Sequence, residues 1–188
     1  MAMDRVFQDV CERLQALGTS LDEMGDAALH SRPAESKLKV SASKDHYLAG
    51  LLWEKVVEMQ GRQKEAIEAA AEARRAVTPP VNLDRAWRML KTSQEAVNLI
   101  LRESLPDMTS YEMQNNLRTL RAEHPDWAGW VDTQLSHLEQ LQPLLNEVSD
   151  GFLACWQEIA ERVGMKNISV QANSVGQRIS APELAEKL

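Results

Sequence analysis

Apolar residues recur along this chain at alternating steps of three and four, and the alternation restarts after each proline-containing break. The first series is Phe7, Val10, Leu14, Leu17, Leu21, Met24 and Ala28. Steps of this kind place every member on one stripe of an α-helix, whereas a strand would scatter them over two faces. A helix with one apolar stripe must bury it against other helices, so the pattern restricts the chain to packed helices.

The pattern returns four times. Leu52, Val56, Met59, Gln63, Ala66, Ala70, Ala73 and Val77 form the second stripe, widened at its start by Leu48 and Leu51. Leu83, Ala86, Leu90, Ser93, Val97 and Ile100 form the third, with Trp87 and Leu101 beside it. Met113, Leu117 and Leu120 define a short fourth helix. The fifth stripe is Val131, Leu135, Leu138, Gln142, Leu145, Ser149, Phe152, Trp156, Ile159 and Val163, broadened by Leu141, Leu144 and Val148. Leu14, Leu52, Leu90, Leu135, Leu138 and Ile159 lie mid-stripe and are the expected core.

The breaks carry helix-stopping chemistry. Ser31-Arg32-Pro33 opens a polar linker over 31–43, Thr78-Pro79-Pro80 ends the second helix, Pro106 ends the third, and His124-Pro125 precedes the fifth. Asp4, Asn82 and Asp126 are candidate N-caps, and Thr109 with Glu112 has the capping-box form. Pro143 falls inside the fifth run and predicts a kink there or two helices. Gly164 is a natural stop.

At 1.5 Å per residue the second and fifth helices span roughly 50 to 57 Å, and the third and fourth together about as much. The expected fold is therefore all-α: an elongated antiparallel bundle of four arms and about five helices, with one arm broken near Pro106. No repeat of 20 to 50 residues is evident, which ranks a solenoid second. The bundle domain covers residues 1–164. Residues 165–188 lose the heptad pattern and read as a flexible tail. Within it Ile168, Val170 and Ala172 alternate weakly with polar residues. Ser180-Ala181-Pro182-Glu183 resembles a helix start, so a short docking helix is expected at 181–188.

No catalytic or metal-binding constellation emerges. None of His30, His46, His124 and His137 has a glutamate three residues before it, and no Cys-x-x-Cys or His-x-x-x-His spacing occurs. Ser41-Ala42-Ser43-Lys44 matches Ser-x-x-Lys but lacks the companion motifs of that chemistry, and reads as a helix start. The eight glycines form no phosphate-binding loop. Neither a metal nor a cofactor is expected. The two cysteines, Cys11 and Cys155, read as reduced core thiols.

Charge and hydropathy narrow the partners. The net charge of −7 disfavours nucleic acid and anionic membranes, unless basic residues cluster on one face. Arg62, Lys64, Arg74 and Arg75 interleave with Glu58, Glu65, Glu68 and Glu72, which reads as a solvated mixed-charge face. No stretch of 18 uninterrupted apolar residues spans a membrane, and the first residues lack the apolar core of a signal peptide. A cytoplasmic location is the expectation.

The sequence thus points to a non-enzymatic protein-protein interaction module: an adaptor, a scaffold or a regulatory subunit of a cytosolic assembly. A small subunit of a nucleic-acid-associated complex is the alternative, then a secretion chaperone or immunity-type binding protein, then an enzyme whose site a single sequence does not reveal. The partner is expected to be another protein, and a homo-oligomer is compatible with the pattern. The candidate contact residues are Trp127 and Trp130, a close aromatic pair, together with Leu184 and Leu188 on one face of the tail helix.

Overall fold

The computed structural model describes residues 2–30, 42–163, 170–173 and 176–179. Helix α1 runs Ala2–His30, α2 Ala42–Val77, α3 Leu83–Leu99, α4 Leu105–Thr109, α5 Tyr111–Glu123 and α6 Ala128–Arg162. A π-helical segment, Ile100–Ser104, joins α3 to α4, and a 3-10 turn, Pro125–Trp127, leads into α6. The architecture is an all-α bundle with antiparallel arms.

Side chains that reach neighbouring backbones fix the order of the arms. Gln63 Nε2 donates to the Leu14 carbonyl at 2.9 Å, and Arg74 pairs with Asp4, so α2 runs antiparallel to α1. Ser93 Oγ donates to the Ala66 carbonyl at 2.6 Å and Arg85 pairs with Glu72, so α3 runs antiparallel to α2. Trp130 Nε1 reaches the Ala28 carbonyl and Cys155 Sγ the Val6 carbonyl, so α6 returns antiparallel to α1. Trp156 Nε1 donates to Gln94 Oε1 at 2.8 Å and closes the ring between α6 and α3. Helix α5 packs against α4 and α6.

The stripes read from α1 and α2 are buried along their whole length, from Phe7 to Ala28 and from Leu52 to Val77. The α1–α2 approach needs Gly18, because a Cβ there would lie 2.5 Å from Gln63 Nε2. Gly151 serves the α1–α6 crossing in the same way, its would-be Cβ lying 3.1 Å from Val10 Cγ2. The second half of α2 buries Ala66, Ala69, Ala70, Ala73 and Ala76, so close backbone approach replaces bulky packing there.

Several expectations need correction. The helix does not end at Pro106. Leu105 N–H donates to the Ile100 carbonyl, five residues back, and this π register lets the chain pass a residue that has no N–H to give. The arm breaks at Ser110 instead, whose backbone leaves the helical region. Ser110 also caps α5, accepting from Met113 N at 3.1 Å, while Thr109 Oγ1 donates to the Leu105 carbonyl, so the cap lies one residue later than expected and, with Met113 at N3, is a simple cap and not a capping box. Asn82 caps α3 as expected, accepting from Arg85 N at 3.0 Å. No side-chain cap opens α6: its N-cap is Trp127, and Asp126 sits in the preceding 3-10 turn. Helix α6 is one helix through Pro143.

The fifth stripe is buried at Val131, Leu138, Leu145, Ser149, Phe152, Trp156 and Ile159 as expected, but Leu135, Gln142 and Val163 are only half-buried, as is Leu144 beside them. Gln134, Leu141, Val148 and Cys155 complete the core face in their place. Two apolar stripes lie side by side in this leucine-rich run, and spacing alone does not say which one the neighbouring helices cover.

Beyond α6, strands β1 (Val170–Asn173) and β2 (Gly176–Ile179) pair antiparallel, Val170 opposite Ile179, and β2 lies against α6. The weak alternation at Val170 and Ala172 is the trace of β1 in the sequence. The linker residues 31–41, Gly164, Ile168 and the expected docking helix at 181–188 lie outside the described residues.

Candidate functional site

Trp127 and Trp130 are not surface anchors. Both are buried, with rings edge-to-face at a centroid separation of 5.3 Å and an interplanar angle of 81°. The cause is local. The 3-10 turn at Pro125–Trp127 tucks Trp127 under the start of α6, and Trp130, one turn on, donates its indole N–H to the Ala28 carbonyl at 3.2 Å. The pair fastens the start of α6 to the end of α1 and offers no ring face to a partner. Leu184 and Leu188 lie outside the described residues, as does the Ser41 of the Ser-x-x-Lys match.

The apolar side chains that do reach solvent are elsewhere. Tyr47 (71% exposed), Trp53 (39%) and Val57 (42%) lie along the first half of α2. With Gly50 and Gly61 they outline a ridge, since Gly50, Trp53, Val57 and Gly61 follow steps of three, four and four and share one helix face. That face is opposite the core residues Leu52, Val56 and Met59. The signal was present in the sequence as apolar residues off the main stripe of a helix already supplied with a full one.

Two open grooves flank the farther half of α2. One, of about 630 Å³, runs between α1 and α2 past Gln8, Cys11, Ile67 and Arg74. The other, of about 760 Å³, runs between α2 and α3 over Ile67, Ala71 and Met89, with Glu65, Glu68 and Glu72 on its rim. Small side chains on α2 leave both open. Tyr111, 82% exposed, stands at the first residue of α5.

Among the described residues most basic side chains of the helices stand in ion pairs. Arg62 pairs with Glu65, Arg74 with Asp4, Arg75 and Arg85 both with Glu72, Arg88 with Asp84, and Arg121 with Asp132. Lys55 bridges Asp107 at 2.9 Å and Glu58 at 3.4 Å, linking α2 to α4. The hydrogen bond donated by Arg85 holds the Glu72 carboxyl below its usual range, and the one that Lys55 donates to Asp107 raises the Lys55 ammonium.

The cysteines are ill suited to nucleophilic work. Burial pushes the Cys155 thiol up, with the Cys11 thiol adding to the effect, and burial raises Cys11 against the opposing pull of Arg74. A thiol that stays protonated is a weak nucleophile. Among the described residues no group of three or more His, Cys, Asp and Glu side chains converges on a metal-sized site, and no helix is long and apolar enough to cross a membrane. Compared with protein-family models, curated proteins and solved structures, the chain matches none of them.

Proposed function

We propose that this chain is a non-enzymatic protein-interaction module, an adaptor, scaffold or regulatory subunit of a cytosolic assembly, and that it binds through the outer face of α2. One observation carries the reading: Tyr47, Trp53 and Val57 stand exposed on the longest helix, while the stripe on its opposite side fills the core. Tryptophan and tyrosine are enriched at interface hot spots, because a large rigid side chain buries much area at small entropic cost. The surrounding surface mixes charges of both signs, with Lys55 paired to Glu58 and Arg62 to Glu65. That supports a protein partner over a nucleic acid, which requires unneutralised cations facing phosphate.

The experiment is affinity capture from the native cell with the unaltered chain and with a Trp53→Glu, Val57→Glu variant. Both positions face solvent in the free protein, so the variant should keep its helical circular dichroism and its melting transition. The expected result is a partner recovered by the unaltered chain and lost by the variant. A partner recovered equally by both would place binding on another face.

A further inference from the structure

We draw no further inference here: the strongest candidate, the pair of open grooves that flank the alanine-rich half of α2, has its rim carboxylates Asp4, Glu65 and Glu72 already paired with arginines of α2 and α3, and nothing in the structure shows what covers it.

Discussion

Gln134 occupies a core position of α6 between Val131 and Leu138, fully buried, and neither of its amide atoms has a hydrogen-bond partner among the described residues. A buried, unpaired polar group costs about 1 to 3 kcal/mol. Gln134→Leu, close to it in volume, is therefore expected to raise the unfolding free energy by about that amount, read from a urea midpoint at constant slope. A loss of more than about 1 kcal/mol would show that the amide is satisfied and shapes the core. The buried thiol of Cys155 makes a second prediction at this scale. Its folded pKa is raised, so the neutral thiol contributes stability that is complete below the unfolded value, about 8.5, and is lost as pH rises above it. Between pH 8 and 10 the chain should lose stability more steeply than a Cys155→Ala variant, by roughly 1.4 kcal/mol per pH unit once the unfolded thiol has ionised. Parallel curves for the two proteins would contradict the burial of that thiol.

The helices show what a stripe can and cannot reveal. In α1 one series of apolar residues stands against a largely polar remainder, and in α2 one series runs unbroken from Leu52 to Val77, so the buried face is legible in both. In α6 the leucines at 135, 138, 141, 144 and 145 satisfy two registers, and the choice belongs to α1, α3 and α5, which pack against it. Leu141→Ala, at a fully buried position, should cost about 2 to 5 kcal/mol, and Leu135→Ala at its half-buried neighbour clearly less. Equal losses in denaturant would put the core on the other stripe. Pro106 predicts a stop because a proline lacks the N–H of an ordinary helical turn. The π segment before it removes that requirement, and such a register change leaves no spacing signal. Ser110→Ala removes the acceptor for Met113 N and should cost about 0.5 to 2 kcal/mol, while Thr109→Ala at the position first expected to cap should cost less. The reverse order would restore the capping box to Thr109. The candidate site was less legible than the fold. Trp127 and Trp130 form a close pair in the sequence, yet the turn that brings them together also buries them. Trp53 and Val57 stand out less in the sequence, because their neighbours in α2 already supply a complete core stripe.

For the whole molecule, the antiparallel arms bury their stripes against one another and leave the outer face of α2 as an apolar ridge with an open groove along each side of its farther half. Ion pairs divide the rest of the described surface among both signs, and this favours recognition by shape and apolar contact over attraction to a polyanion. The reading of the chain as an interaction module stands on that ridge being covered in the cell. Photo-crosslinking in the native cell addresses it directly. A photoreactive residue is placed in turn at Tyr47 and Val57 on the ridge, and at Glu139 and Gln140 on the exposed face of α6. The account predicts one discrete cross-linked species from the ridge positions and none above background from α6. Equal cross-linking from both faces, or none from the ridge, would contradict it.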